Sequence, residues 1–501
     1  MSNIGKGNEG LSASTLKSIS MHVSTPTYDR QRLKPKIVHL GVGHFVRAHL
    51  SMYLDRLLEK DPECDWGIWG VGLNSLPSQV LEVLARQDCL YTLTEKYADG
   101  SSQSRVIGSI IGIDKAEGDG EPLISRIADG QTKIVSLTIT EGGYGIDAVT
   151  GKFSGKEDVL ISADMADATS AKSWLGTLLH AIRIRKDEGR GPLTLMSCDN
   201  IPHNGKIAKE ALVGFTEIVA PELVAWIHEN MSFPNSMVDR VTPGTKDEDR
   251  DFIENSFGYK DGWPVICEPY ALWVLEDDFV NGRPVFEEVD VKLVENVLPY
   301  ELMKLRLANG AHQALCYFGY LLGYTYVHEA IHDEDIHALL IRYIDKEAVP
   351  TLEKIPDLDL NEWGRIVLDR FGNPEIKDLL SRICADTSDR IPKFMLPVVR
   401  EGILAGRATP MCAAVIASWA RYAYGIDEQG KVIDVVDPKK ISIMEAAKID
   451  NLEQGAFLDQ KEIFGDIGED VEFRKAYIEA RQKLNSEGAR ALLRELALSK
   501  Y

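Results

Sequence analysis

The sequence predicts an α/β chain in two parts, a mostly parallel β-sheet covered by helices followed by a mainly α-helical domain. Three observations carry that prediction. The 501 residues exceed what one hydrophobic core usually organises, so two domains sharing a ligand cleft are the starting expectation. From residue 36 to about residue 299, short β-rich runs alternate with amphipathic helical stretches. Beyond that point the strand signal fades and successive helices follow.

The predicted strands are 36–40, 66–73, 133–140, 192–198, 264–268 and 289–297. Helical periodicity covers 44–60, 77–88, 170–186 and 205–219, and in the second part 301–322, 333–345, 376–383 and 409–424. The boundary is drawn to give a cofactor-binding domain at 1–295 and a substrate-binding and catalytic domain at 296–501, with the active site in the cleft between them.

Lysine and arginine number 56 against 77 aspartates and glutamates, a net charge of −21. Such a surface repels nucleic acid and anionic membranes and suits a neutral small-molecule partner. The seven cysteines are scattered, with no C-x-x-C pair, which points to a reducing compartment. The opening MSNIGKGNEG lacks the apolar core of a signal peptide, and the uncharged stretch 314–327 is shorter than the ~20 residues of a membrane span. A cytoplasmic protein, monomeric or weakly homo-oligomeric, is expected.

The first strand runs into Gly41-Val42-Gly43-His44-Phe45-Val46-Arg47-Ala48-His49 and a helix. Glycines there let the backbone turn tightly and approach a pyrophosphate, while a helix N-terminus offers N–H groups, so a Rossmann-like site is indicated. Val46 stands where the third glycine of G-x-G-x-x-G would be, and a plain tight turn is the alternative. Gly41, Val42, Gly43, His44, Phe45 and Arg47 are the expected cofactor residues, joined by Asn74 after the second strand. No acidic residue for ribose hydroxyls and no cation for a 2′-phosphate follows Gly72. NAD is the expected cofactor, with NADP left open.

The segment from Glu301 to His312, ELMKLRLANGAH, carries the chemistry. On an α-helix with Lys304 at zero, Glu301, His312 and Asn309 fall at about 60°, 80° and 140°, one polar arc on an otherwise apolar helix. A lysine buried in such surroundings has a lowered pKa and is a candidate general base. The alternative is a helix whose Lys304 and His312 reach solvent or a structural partner.

K-x4-N-x2-H at Lys304, Asn309 and His312, with Gly41-x-Gly43-x-Phe45-x-Arg47-Ala48-His49, resembles the long-chain polyol dehydrogenase (mannitol dehydrogenase) family. So do the stretch from Met231 to Pro243 around Val238-Asp239-Arg240, TITEGGY at 138–144, MSCDN at 196–200 and WVLED at 273–277. The resemblance covers about residues 25–425. It implies a metal-independent, NAD-dependent and reversible oxidation of a polyol to a ketose, with D-mannitol and D-fructose as the pair. Lys304 corresponds to the general base, Asn200 and Asn309 to oxyanion-stabilising amides, and His312 to a histidine that positions a substrate hydroxyl. Asp239 corresponds to a residue bonding the polyol chain, Arg382 and Arg390 to its far end, and Glu301 and Glu141 to acids that relay protons. Arg390 departs from relatives that carry lysine there, and the missing acid after the second strand departs from NAD-preferring members. Arabinitol dehydrogenases and hexuronate reductases share the resemblance and remain alternatives.

Two readings from other classes compete. His328-Glu329-Ala330-Ile331-His332 matches H-E-x-x-H, a zinc protease motif, with His337, Asp333, Glu334 and Asp335 nearby. A cofactor-binding regulator would keep the glycine loop without needing Lys304, Asn309 and His312 together.

Overall fold

The structure, a computed structural model, describes residues 10–73, 77–116, 120–147 and 150–498. It divides into two compact units, Met1–Val297 and Leu298–Tyr501. Among the described residues no helix is long and apolar enough to cross a membrane.

The main sheet of the first unit has six parallel strands in the spatial order Ile110–Lys115, Trp66–Gly72, Lys34–Leu40, Ile134–Leu137, Leu193–Ser197 and Met231–Ser232. The chain thus winds outward from Lys34–Leu40 in one direction and then in the other. That doubly wound order opens a crevice at the carboxyl ends of Lys34–Leu40 and Ile134–Leu137. Alternate residues feed two cores: Ile37, Ile68 and Ile134 on one face, Val38, Val71 and Val135 on the other. Helix Leu50–Lys60 covers the first core, and Glu121–Ala128, Trp174–Asp187 and Asn204–Val219 cover the second.

Three expectations need correction. Strands Val265–Cys267 and Lys292–Val294 lie outside the main sheet, in separate three-stranded sheets. The first pairs with Tyr91–Lys96, which turns back to Ser102–Ile107; the second pairs with Leu272–Glu276, which lies antiparallel to the earlier strand Ser236–Asp239. The helix expected over 44–60 breaks at His49, whose φ of −125° and ψ of −94° are not helical, leaving His44–Ala48 and Leu50–Lys60.

Among its described residues the second unit is helical, with only isolated bridges such as Tyr326 to Leu379. Helix Pro410–Ala423 is buried nearly throughout, Trp419 packing against Phe457 and Phe464. Asp359 and Asp470 accept backbone N–H bonds at the starts of Leu360–Phe371 and Val471–Glu487. The long helical run Leu298–Met303, Lys304–Asn309 and Gly310–Leu321 is not uniformly α: its middle segment is π-helical.

Candidate active site

At the sheet's crevice, Gly41 follows the first strand with φ +101°, and a Cβ there would sit 2.0 Å from the Thr138 carbonyl oxygen. Only glycine allows the two strand ends to approach so closely. Thr138 Oγ1 donates to the Gly41 carbonyl at 2.7 Å, and buried His39 bridges Ser136 Oγ (2.8 Å) and Thr138 Oγ1 (3.0 Å). Burial holds the His39 imidazole down at about 4, so it stays neutral beneath the loop.

The side chains after Gly41 mostly turn inward. Val42 is buried, and a Cβ on Gly70 would meet its Cγ2 at 2.6 Å, so the second strand's glycine makes room for it. Phe45 stacks on His49 at 4.8 Å. Arg47 is fully buried and donates to the carbonyls of Gly43 (3.1 Å) and Trp263 (2.8 Å). Desolvation lowers its pKa to about 10. Arg47 therefore braces the loop from beneath and can lend an anion positive potential without direct contact. Half-buried His44 accepts from the Thr245 N–H (3.2 Å), with burial and then Arg47 lowering its pKa to about 4. What the loop offers a ligand is chiefly the backbone N–H groups of Val42 and His44, since those of Gly41 and Gly43 bond the Val71 and Gly41 carbonyls at 2.9 and 2.7 Å. Asn74 lies outside the described residues.

Asn200 stands on a loop and Glu141 opens the short 3-10 helix Glu141–Tyr144, and one buried carboxylate ties the two segments together. Asp199 accepts the backbone N–H of Ile139 (3.0 Å) and Thr140 (2.9 Å) and the Tyr144 hydroxyl (2.6 Å). These bonds hold Thr140 at φ +66°, a costly conformation for a non-glycine residue, and so set where Glu141 begins. Asn204 donates to the Asp199 carbonyl (3.1 Å) and to the Ser236 carbonyl (2.7 Å), linking the same loop to strand Ser236–Asp239. Glu141, Asn200 and Asp239 thus share one hydrogen-bonded frame in the first unit. Sequence reasoning missed Asp199 and Asn204 as its ties; the acid beside Asn200 in MSCDN was the available signal.

In the second unit Glu301, Lys304, Asn309 and His312 share the helical run from Leu298 to Leu321. Glu301 and Lys304 are 6% and 7% exposed. Lys304 opens the π segment and Asn309 closes it. The constant α-helical rotation assumed from sequence does not hold across it. A π turn takes up one extra residue, setting everything beyond it back by about 100°. By that count Asn309 and His312 come within about 40° of Lys304's direction, a tighter arc than a uniform α-helix gives. His312 stacks on Phe371 at 3.9 Å with rings nearly parallel, fixing its plane.

The two arginines are held differently. Exposed Arg382 makes a bidentate pair with Asp378 (2.7 and 2.6 Å). Half-buried Arg390 donates to the carbonyls of Arg382 and Ile383, both at 3.1 Å, and so anchors the turn that carries Arg382.

The residues of H-E-x-x-H have other duties. Glu329 accepts the N–H groups of Thr325 (2.9 Å) and Tyr326 (3.0 Å), capping a helix start, and the His332 ring bonds the His328 carbonyl. Asp333 and Asp335 pair with Arg490. Among the described residues no three His, Cys, Asp or Glu side chains are grouped to hold a metal.

Family models for the mannitol dehydrogenase Rossmann domain and the mannitol dehydrogenase C-terminal domain match residues 35–288 and 296–485. A mannitol 2-dehydrogenase of Emericella nidulans is 39% identical over 483 residues, 95% of this chain and 96% of that protein. Among solved structures, the Pseudomonas fluorescens mannitol 2-dehydrogenase ternary complex with NAD and D-mannitol is 40% identical. It covers 97% of this chain and 99% of its own, with a TM-score of 0.86. A substrate-free D-sorbitol dehydrogenase is 36% identical, covers 96% and 100% of the two chains, and has a TM-score of 0.89.

Proposed function

Because the chain belongs to the mannitol dehydrogenase family, we propose that it interconverts a sugar alcohol and its ketose with NAD, D-mannitol and D-fructose being the pair. The observation that carries the mechanism is a buried lysine and Asn309 at the two ends of one π-helical segment. The P. fluorescens ternary complex, similar over nearly the whole chain, supports the choice of cofactor and polyol.

The crevice at the sheet switch point fits a dinucleotide, since a Cβ on Gly43 would meet nothing nearer than the Gly41 carbonyl oxygen at 4.0 Å and its absence leaves the backbone open to a ligand. The N–H groups of Val42 and His44 would hold the pyrophosphate over the Arg47 brace. Held there, NAD would supply the acceptor for the hydride leaving the alcohol carbon.

In the same oxidation, Lys304 as a neutral amine takes the proton of the alcohol hydroxyl, so the C–H and O–H bonds break as the carbonyl forms. Asn200 and Asn309 donate amide N–H bonds to the developing alkoxide. These groups perform the tasks a metal would otherwise serve, and the mechanism gives a metal no role. His312, its plane fixed by Phe371, orients a neighbouring hydroxyl, while Asp239 accepts from the polyol chain and Arg382 and Arg390 hold its far end. Glu301, one helical turn before Lys304, and Glu141 pass the proton onward to water.

The likeness to a D-sorbitol dehydrogenase favours a second reading, in which the hexitol is D-sorbitol. A panel of mannitol, sorbitol and arabinitol, with fructose and a hexuronate in reverse, run with NAD(H) and NADP(H), tests both. The highest kcat/KM is expected for mannitol with NAD; preference for sorbitol or the hexuronate replaces the substrate reading, and activity abolished by a chelator and restored by zinc sinks the lysine mechanism.

A further inference from the structure

The π segment between Lys304 and Asn309 is held by two residues that no motif marks. In an α-helix the Gly310 N–H would serve the Arg306 carbonyl, four residues back. Here it bonds the Leu305 carbonyl, five back. The Arg306 carbonyl instead receives the Tyr343 hydroxyl at 2.8 Å. Tyr343 is fully buried and begins the second π segment, Tyr343–Ala348. Gly310 makes its approach possible, since a Cβ there would lie 2.2 Å from the Tyr343 oxygen. The Arg306 side chain pins the same turn by pairing with Glu401 (2.6 and 3.0 Å) and bonding the Thr351 carbonyl (2.6 Å).

We propose that Tyr343 is a positioning residue for the reaction: its hydroxyl, in the room left by Gly310, keeps the segment from Lys304 to Asn309 in π rather than α register and so fixes the spacing of the two groups. The alternatives for the Arg306 carbonyl are exclusive. If the Tyr343 hydroxyl is absent, the Gly310 N–H can return to that carbonyl, the segment becomes α-helical, and Asn309 and His312 rotate away by about one residue's turn. An alanine at position 310 favours that outcome, because it forms helix more readily than glycine and, without the tyrosine oxygen, meets less obstruction.

The inference rests on the roles proposed for Lys304 and Asn309, and its test separates the two. Three variants of the full chain are compared: Tyr343→Phe, the double variant Tyr343→Phe with Gly310→Ala, and Lys304→Ala. Tyr343→Phe is expected to lower kcat roughly 10–100-fold, as displaced reacting groups do, with KM for NAD unchanged and a larger isotope effect on 2-deuterated polyol. The double variant is expected to melt at a higher temperature than Tyr343→Phe while being less active, and its amides around 306–310 to exchange more slowly. A purely structural tyrosine would instead make stability and activity recover together. Recovery of both, or Tyr343→Phe within twofold of wild-type kcat, overturns the proposal. Full activity in Lys304→Ala overturns the base assignment instead, leaving the exchange measurement to judge the register.

Discussion

Lys304 and Asn309 are the first and last residues of one π-helical segment, so five residues of backbone bring them round to a common side of the helix. An amine and an amide held this way can act on the same oxygen, one as base and one as donor. Asn309→Ala is expected to lower kcat by roughly 10²–10³, the usual loss for one oxyanion donor, with cofactor affinity unchanged. Steady-state kinetics with an NADH titration checks this, and a variant within threefold of wild type would take Asn309 out of the site.

The glycine loop makes a backbone prediction. Gly41→Ala forces a side chain into φ +101° and against the Thr138 carbonyl at 2.0 Å, neither of which can relax cheaply. NADH affinity is expected to fall at least tenfold and stability by on the order of 1–3 kcal/mol. Gly100→Ala is the control: it has φ +82° but nothing within 4 Å, so it carries the conformational strain without the clash and should leave NADH affinity intact.

What could be read from the sequence follows from where side chains meet their partners. The parallel strands were legible because Ile37 and Val38 feed cores on opposite faces, which writes a continuous apolar run. The hairpin Tyr91–Lys96 with Ser102–Ile107 was not, because buried polar residues break its pattern: Thr92 bonds the Tyr259 hydroxyl and Thr94 bonds Ser104. Lys304, Asn309 and His312 were legible as a motif on a buried helix. The π register between them was not, since the residue that takes the Arg306 carbonyl, Tyr343, lies far along the chain. Likewise the glycine loop announced itself, whereas the inward turn of Val42 and Arg47 depends on Gly70 and Trp263.

Acid stability should report a buried histidine. His49 is enclosed by Phe45, Tyr53 and Trp273 at 4.8, 5.1 and 5.1 Å, and burial lowers its pKa from 6.5 to about 3. Below 6.5 the unfolded chain takes up a proton that the folded protein refuses, so this contribution to stability is complete above 6.5 and is lost as pH falls toward 3. The slope for one such group is about 1.4 kcal/mol per pH unit. His49→Phe suits the aromatic surroundings and should make the fall in unfolding free energy between about pH 6 and about pH 4.5 shallower by that amount. His39 keeps the remaining slope from vanishing. An unchanged slope in urea unfolding would mean that His49 is protonated in the folded state.

The base assignment makes opposite predictions for the two directions of the reaction. Oxidation consumes the neutral amine of Lys304, so its rate should rise with pH; ketose reduction consumes the ammonium and should fall over the same range. Lys304 is only 7% exposed, so the group assigned the proton transfer sits largely out of bulk water. Lys304→Ala is expected to cost roughly 10²–10⁴ in rate and to flatten the pH dependence, with small primary amines restoring part of the activity. His312→Ala should raise KM for the polyol yet keep the basic limb, because the titrating group is still there. The two variants together discriminate the residues: a basic limb that survives Lys304→Ala and disappears in His312→Ala would transfer the proton-accepting role to the imidazole stacked on Phe371.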